Sequence, residues 1–199
     1  MSFNFGNMWS SSKKNNLIVN NKNNNYKRKY NQNMLVIKKP KQVVERANGI
    51  GTKAYWGTPT WYLFHSLAEK VDEEKYKKHY MIVWNFIKEI CGSLPCPYCK
   101  AHATNYVNGI SIININTKEK LIKTLFNFHN DVNLRTGKMR MGEEVLEKYK
   151  SSNLNKILEL FYSRFFVSYI GRRHFDDWIK NRTKDSTKKF WNFYKNHLL

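Results

Sequence analysis

The chain has 199 residues and a formal net charge of +20 at pH 7, and 41% of its residues are hydrophobic. This length and composition allow one globular domain of ordinary size plus appendages. No stretch approaches the roughly 20 consecutive apolar residues of a transmembrane helix, and residues 1–12 lack the apolar region of a secretory signal. We therefore expect a protein that has no transmembrane segment, is not secreted and stays in a cytosol-like compartment.

The positive charge is concentrated at the two ends of the chain. Residues 1–53 carry a net charge of +10, residues 54–150 carry +4 and residues 151–199 carry +6. Basic ends attract nucleic acid, anionic membranes or an acidic partner. A solvated tail encoded by an A/T-biased genome has the same composition, so charge alone specifies no partner.

Residues 1–50 form the first predicted segment, which is basic, rich in Asn and Lys and largely disordered because it offers few apolar groups for packing. Helical periodicity begins at Tyr55. Thr58-Pro59 predicts the start of the first helix, with the threonine as N-cap and the proline at the first helical position. Asp72 and Gly92 predict the two ends of a second helix.

Three further helices are predicted in the central part of the chain. Pro97 begins a short third helix that ends at Asn108-Gly109. The pattern Asn116-x-x-Glu119 is typical of a capping box and opens a fourth helix, which Gly137 ends. A short fifth helix covers about residues 143–149. These helices assign residues 51–150 to one helical domain.

The remaining residues, 151–199, are predicted to form a C-terminal helical extension that is rich in aromatic side chains. It contains three helical segments, Leu154–Tyr169, His174–Ile179 and Ser186–Leu198, which pack on the core or on a second subunit. The predicted fold class of the whole chain is therefore all-α.

Three cysteines, Cys91, Cys96 and Cys99, lie within nine positions, a pattern unlike a secreted disulfide framework. With Pro97 at the first helical position, Cys96 is the N-cap and Cys99 lies in the first turn. Free N–H groups and the helix dipole lower thiol pKa values there, and the two-residue spacing permits a reversible disulfide. A redox pair, a zinc site and a bystander pair all fit this motif. Zinc would need Cys91 and His102 as further ligands, four ligands cramped into one short segment.

Two other segments place polar side chains among apolar ones at helical spacing. Trp61 and His65 share a helical face that suits a flat aromatic ligand, although core packing explains the same pattern. In the fourth helix, His129 and Asn133 share a face beside Asn130 and, if buried, must find partners in a ligand or in another helix.

The order of these motifs resembles the Erv/ALR family of FAD-linked sulfhydryl oxidases. The motifs are Trp-Gly-x3-Trp-x3-His from Trp56 to His65, Cys-Pro-x-Cys from Cys96 to Cys99, and His-Asn-x-Val-Asn-x3-Gly-Lys from His129 to Lys138. The resemblance covers about Tyr55 to Tyr149. It implies a four-helix bundle with a short fifth helix, bound FAD and a homodimer.

The resemblance also assigns roles to individual residues. Cys96 and Cys99 are the implied catalytic pair. The implied FAD contacts come from the first helix, the fourth helix and the segment after it: Thr58, Trp61, His65, His129, Asn130, Val132, Asn133, Lys138 and Tyr149. Lys138 would lie near the phosphates, and Tyr149 falls where relatives often stack an aromatic ring on the adenine.

The resemblance further orders the two sulfurs, with Cys99 against the flavin and Cys96 toward the substrate. A dithiol of a protein substrate would attack Cys96, and its second thiol would resolve the mixed disulfide. Electrons would then pass from Cys99 to the flavin and on to O2, giving H2O2.

The chain departs from the family pattern in two places. The structural disulfide that brackets the His-Asn motif in many relatives is absent, because Phe126 stands at its first position and no cysteine follows Lys138. Neither tail carries a shuttle cysteine pair, so electrons enter directly at Cys96 or through a separate thioredoxin-like carrier. Cys91 is left over, as a buried core thiol, as one end of an intersubunit bridge or as an auxiliary thiol.

A shuttle-free core, a C-terminal aromatic extension and A/T-biased composition resemble the versions from large cytoplasmic DNA viruses, which implies the host cytoplasm or the virion as the location. Two other classes stay open on the residues alone. One is a basic nucleic-acid-binding module with a small Cys/His zinc site, and the other is a helical scaffold without enzymatic activity.

Overall fold

The computed structural model describes residues 50–169 and 174–199, and its regular structure there is entirely helical. This confirms the all-α prediction. Short 3₁₀ turns at Ile112–Asn114, Glu143–Leu146 and Val167–Tyr169 separate seven helices in this part of the chain. The helices are α1 (Lys53–Lys70), α2 (Glu73–Gly92), α3 (Pro97–Asn108), α4 (Lys118–Arg135), α5 (Glu147–Lys150), α6 (Leu154–Phe165) and α7 (His174–His197).

Two predictions concern membranes and the N-terminal segment. In the ranges that the structure covers, no helix combines the length and the apolarity needed to cross a bilayer. The predicted disorder of the basic N-terminal segment falls on residues outside those ranges.

Helix α1 begins earlier than predicted, so the start at Thr58-Pro59 is wrong. The N-cap is Thr52, whose hydroxyl oxygen accepts a hydrogen bond from the N–H of Tyr55 at 3.2 Å. Pro59 lies inside the helix, where it cannot donate to the preceding turn. The turn before it is stabilised because Trp56 is buried in the core.

The start of α4 also differs from its prediction. The hydroxyl of Thr117 accepts the hydrogen bond from the N–H of Lys120 at 3.3 Å, so Thr117 and not Asn116 is the N-cap. The Asn116 side chain instead accepts a hydrogen bond from Lys120 Nζ at 3.0 Å. Glu119 is consequently the second helical residue and not the third, which a capping box requires.

Two other predicted helix starts are confirmed. The carboxylate of Asp72 accepts a hydrogen bond from the N–H of Lys75 at 2.9 Å at the start of α2. Pro97 occupies the first turn of α3, directly after Cys96 as N-cap. Both capped starts lie at sharp turns that place α2 and α3 against the rest of the bundle.

Helix α1 packs against α4, α5 and α6. Helix α2 packs against α3, α4 and α7. One continuous hydrophobic core includes side chains from the central helices and from the C-terminal extension. Its fully buried members include Leu63, Phe64, Leu67, Ile87, Ile90, Leu121, Phe161 and Phe165.

The C-terminal extension forms one long helix where two short ones were predicted. Helix α7 runs without a break from His174 to His197, because Thr183 in the predicted gap is buried against the core. The Phe190 ring stacks on Phe86 of α2, with centroids 3.9 Å apart and planes 3° from parallel. The Tyr194 hydroxyl donates a hydrogen bond to the carbonyl oxygen of Leu67 at 2.8 Å.

The stacked contact between α7 and α2 predicts a large loss of stability when the Phe190 side chain is shortened to alanine. We expect Phe190→Ala to lower the free energy of unfolding by about 3–5 kcal/mol, because a buried ring leaves a cavity. Urea unfolding followed by circular dichroism measures this value. Trp178→Ala on the same helix is the control, since its ring is 58% exposed. An equally small effect for both variants would contradict the packing of α7 on the core.

Candidate functional site

The cysteine pair lies at the start of α3, as predicted. Cys96 is the N-cap, and its Sγ accepts a hydrogen bond from the N–H of Cys99 at 3.3 Å. Pro97 follows at the first helical position, where its missing N–H leaves no donor unpaired. Both cysteines are free thiols and half-buried. The pair is therefore partly accessible.

The two thiols differ in acidity because they interact with each other. The hydrogen bond from the Cys99 side chain, together with the Cys99 N–H and the charge of Lys53, lowers the pKa of Cys96 to about 6. The same hydrogen bond and burial raise the pKa of Cys99. Cys96 therefore ionises first, and Cys99 keeps the proton that it donates.

Three side-chain contacts fix α3 against α4. His102 Nε2 lies 3.0 Å from Asp131 Oδ2. The guanidinium of Arg135 lies 4.2 Å from the centroid of the Tyr98 ring, a cation–π distance. A third contact is the stacking of Tyr106 on Phe128, with centroids 4.3 Å apart. These contacts position the cysteine pair beside the C-terminal half of α4.

Four of the predicted cofactor contacts come together in what we call the ring cluster: Trp61, His65, His129 and Tyr149. The Trp61 and His129 rings stack at 4.1 Å with planes 7° apart. His65 Nε2 lies 3.1 Å from His129 Nδ1 in a hydrogen bond. The His65 ring also stacks on the Tyr149 ring, with centroids 4.7 Å apart. The cluster thus joins α1, α4 and α5.

The ring cluster and the cysteine pair are linked by a further aromatic contact. Phe128, which stacks on Tyr106 of α3, also makes an edge contact with Trp61 at a centroid distance of 5.1 Å. A chain of touching rings therefore runs from the helix that carries the cysteines to the ring cluster.

Both imidazoles of the ring cluster are neutral at pH 7. Burial, then the charges of His129 and Lys148, lower the pKa of His65 to about 3. Burial, then Lys148 and Lys138, lower the pKa of His129 to about 4. Two neutral imidazoles in a hydrogen bond need one N–H donor and one bare nitrogen, so one of the two rings donates and the other accepts.

The remaining predicted cofactor contacts lie at or near the ring cluster but differ in exposure. Thr58 is exposed on α1, one turn before Trp61, and Lys138 is exposed in the segment after α4. Val132 is half-buried and Asn133 is buried on α4. These four residues stay predictions as cofactor contacts.

Asn130 has a structural partner that the sequence did not indicate. Its amide nitrogen donates to the carbonyl oxygen of Met141 at 3.1 Å, and its amide oxygen accepts from the Met141 N–H at 2.8 Å. The side chain is buried. Asn130 therefore ties the segment after α4 back onto the helix, besides its predicted role toward a cofactor.

Sequence reasoning missed three cations near the site. Lys53 interacts electrostatically with both thiols, and Arg135 interacts with Cys99. Lys148 lies 4.9 Å from the Tyr149 ring centroid. Lys53 lies before the predicted start of α1, which was placed too late at Thr58-Pro59. The helical spacing of Arg135 after Asp131 was a signal that could have been used.

The zinc alternative has no support in the described ranges. Within residues 50–169 and 174–199, no group of three His, Cys, Asp or Glu side chains is placed to hold a metal ion. Cys91 is fully buried, which raises the pKa of its thiol, and His102 contacts Asp131. Cys91 thus lies in the core, as its interpretation as a buried core thiol predicted.

The buried imidazoles predict a loss of stability in acid. In the unfolded chain His65 returns to its ordinary pKa of 6.5, so below that pH unfolding takes up a proton. The free energy of unfolding should therefore fall as the pH drops from 6.5 toward 4, by up to about 1.4 kcal/mol per pH unit for this residue. Urea unfolding of the ligand-free chain at pH 7, 6 and 5 measures the fall.

The matched variant for this measurement is His65→Gln. Its free energy of unfolding should depend less steeply on pH over the same range. Carboxylates titrate in both proteins, so only the difference between the two slopes reports His65. Parallel slopes, or an NMR titration midpoint of His65 near 6.5, would contradict its neutral buried state.

Comparison with known proteins places this geometry in a family. The Erv1/Alr family model matches residues 58–150, which include the cysteine pair and the ring cluster. An FAD-linked sulfhydryl oxidase of African swine fever virus is 33% identical over 109 residues, covering 52% of this chain and 87% of that protein. No solved structure matches the chain.

Two further relatives come from invertebrate iridescent viruses, and both carry the name "Putative FAD-linked sulfhydryl oxidase". The protein of Invertebrate iridescent virus 6 is 31% identical over 99 residues, which cover 47% of this chain and 89% of that protein. The protein of Invertebrate iridescent virus 3 is 29% identical over 97 residues, which cover 48% of this chain and 66% of that protein. A Cys-x-x-Cys helix start, a buried His–His contact and these matches lead to one conclusion: the chain belongs to the Erv1/Alr family.

Proposed function

We propose that this chain is an FAD-linked sulfhydryl oxidase that forms disulfides in protein dithiols and reduces O2 to H2O2. The observation that carries the proposal is the Cys96–Cys99 pair at the start of α3, the helix whose Tyr106 ring is joined through Phe128 to Trp61 of the ring cluster. Family membership and the names of the viral relatives support it. The overall reaction balances, since one dithiol and one O2 give one disulfide and one H2O2.

The chemistry of the ring cluster fits FAD. The cofactor carries two flat ring systems and a negatively charged pyrophosphate, which suit stacked aromatic side chains and nearby cations. Trp61, His65, His129 and Tyr149 would hold the rings, while Lys138 and Lys148 would offset the phosphate charge. Bound FAD would supply the two-electron acceptor that a dithiol needs and the subsequent reaction with O2.

The cysteine pair would perform the exchange with the substrate. A substrate thiolate attacks Cys96 in the oxidised pair, the Cys96–Cys99 bond breaks, and Cys99 leaves as a thiolate. The positive charges of Lys53 and Arg135 stabilise that leaving group. The second thiol of the substrate then attacks the substrate sulfur of the mixed disulfide and releases Cys96. The low pKa of Cys96 makes it a good leaving thiol.

Three finer expectations belong to the same proposal. The active form would be a homodimer, the basic tails would bind an acidic partner, and the protein would act in the host cytoplasm or in the virion.

Electrons would arrive directly from protein dithiols or through a thioredoxin-like carrier. The cysteine content supports this entry route, because Cys91 is buried and only Cys96 and Cys99 are half-exposed.

The FAD proposal predicts a yellow protein with a flavin absorbance band at about 450 nm, in a one-to-one ratio with the chain. We expect Trp61→Ala and His65→Ala to weaken FAD binding by about tenfold or more, because each removes a stacking ring. Absorbance after gel filtration and titration with FAD measure the binding. Trp178→Ala is the matched control. A colourless chain that takes up no added FAD would contradict the proposed function.

The exchange mechanism predicts that Cys96→Ser and Cys99→Ser each abolish O2 consumption with dithiothreitol while FAD stays bound. The physical reason is that neither variant can form the intramolecular disulfide that a substrate thiolate attacks. Cys91→Ser is the control, with activity retained because its buried thiol lies outside the exchange. An oxygen electrode gives the rates. Full activity in Cys96→Ser or in Cys99→Ser would contradict the mechanism.

A further inference from the structure

The last residue of α4, Arg135, brings a positive charge to the cysteine pair. Its side chain is half-buried, and its charge acts on the Cys99 thiol. Among the residues that the structure describes, no carboxylate forms an ion pair with Arg135. The full charge of the guanidinium is therefore available to a thiolate at Cys99.

The ring of Tyr98, which stands between the two cysteines in the chain, holds this guanidinium in place. The central carbon of the guanidinium lies 4.2 Å from the centroid of the Tyr98 ring, well inside the range of about 6 Å for a cation–π contact. An aromatic ring attracts a cation through its quadrupole and carries no net charge. The contact therefore fixes the guanidinium without cancelling its charge, whereas a carboxylate in the same place would cancel it.

Asp131 is the carboxylate that helical spacing places within reach of Arg135. The two residues are four positions apart on α4, and an acid and a base at that spacing commonly pair on a helix surface. In the structure, Asp131 Oδ2 instead lies 3.0 Å from His102 Nε2 of α3. Burial, and then the charge of Arg135, lower the pKa of His102, so its imidazole is neutral at pH 7. His102 thus occupies the carboxylate and adds no charge of its own.

A second cation, Lys53, reaches the same ring from the start of α1. Its Nζ lies 5.9 Å from the centroid of the Tyr98 ring, at the outer limit of a cation–π contact, and its side chain is exposed. Water and salt screen an exposed charge more strongly than a half-buried one. Arg135 is therefore the cation whose position depends more on Tyr98.

The exchange with a substrate benefits from a positive charge at the sulfur that leaves. When a substrate thiolate attacks Cys96, the Cys96–Cys99 bond breaks and its electron pair stays on Cys99. A cation close to Cys99 stabilises the new thiolate, and a more stable leaving thiolate makes the exchange faster. A carboxylate paired with that cation would remove most of this gain.

We propose that Tyr98 and His102 are positioning residues that keep the charge of Arg135 uncancelled beside Cys99. Tyr98 holds the guanidinium, and His102 keeps the Asp131 carboxylate in a separate contact with α3. The inference rests on the proposed function, and it adds to that function a reason why Cys99 leaves readily as a thiolate.

The test measures the rate at which iodoacetamide alkylates Cys99, because only the thiolate reacts. The parent protein is the full chain with Cys96→Ser, in which Cys99 titrates without its partner. We expect Tyr98→Leu, His102→Leu and Arg135→Gln each to slow the alkylation at pH 7 by about threefold, since each weakens the positive charge at the sulfur. Mass spectrometry identifies the cysteine that is modified.

Two further variants separate electrostatics from a loss of structure. Tyr98→Phe keeps the aromatic face and should react at the parent rate. Adding Asp131→Asn to His102→Leu removes the carboxylate that the loss of the imidazole sets free, and this should restore the parent rate. Leu134→Ala is the matched control on α4, since its side chain is 53% exposed, and it should change nothing. Salt at about 1 M should reduce the effects of the slow variants, because it screens the charges.

Each result decides for or against the inference. A slow His102→Leu chain that Asp131→Asn restores supports it. Slow alkylation that Asp131→Asn does not restore, or that Tyr98→Phe shares with Tyr98→Leu, would give these residues a merely structural role and overturn it, as would unchanged rates. Alkylation needs neither FAD nor O2. Variants that alkylate as expected, from a native chain that consumes no O2 with dithiothreitol, would therefore contradict the proposed function alone.

Discussion

The hydrogen bond from the Cys99 N–H to the sulfur of Cys96 is the constraint on which the rest of the site depends. It makes a cysteine the N-cap of α3, a position usually held by an oxygen-bearing side chain. A sulfur in that position receives backbone donors and the positive end of the helix, so its ionised form is favoured. Pro97 secures the arrangement, since its fixed φ starts the helix one residue after Cys96. The low pKa of Cys96 therefore comes first from the Cys99 side chain and then from this backbone hydrogen bond, before any cofactor is considered.

The ring cluster differs from the cysteine pair in its electrostatics, because its two imidazoles, His65 and His129, stay uncharged. His65 is 2% exposed, and an imidazolium there would lose its hydration and lie near Lys148. The neutral His65–His129 hydrogen bond removes that conflict and locks both rings into one geometry. A flat cofactor would then meet a preformed surface, which reduces the entropy lost on binding. Burial is the main cause of these low pKa values, and the charges of Lys148 and Lys138 that add to it would be offset by an anionic cofactor.

The extent to which the sequence predicted this structure varied with the range of the interaction involved. Local signals succeeded at Cys96-Pro97 and at Asp72, because a cap and a proline act within one turn. They failed at Pro59, where burial of Trp56 outweighs the proline's preference for the first turn. They failed again in α7, where Thr183 is helical because it bonds to a residue 90 positions away. The contacts of Lys53 depend on such long-range packing, and no pattern in the sequence encodes the distances.

The missing structural disulfide shows how a covalent constraint is replaced by ordinary interactions. The bridge implied by the family resemblance would tie the segment after the fourth helix back to that helix, and here Phe126 stands at its first position. The side chain of Asn130 performs the same connection with two hydrogen bonds to the backbone of Met141, and the Lys138 N–H adds a third to the carbonyl oxygen of Asn133 at 2.8 Å. These bonds survive in a reducing compartment, where a disulfide is prone to reduction. An enzyme that makes disulfides can thus hold its own ring cluster in place without depending on one.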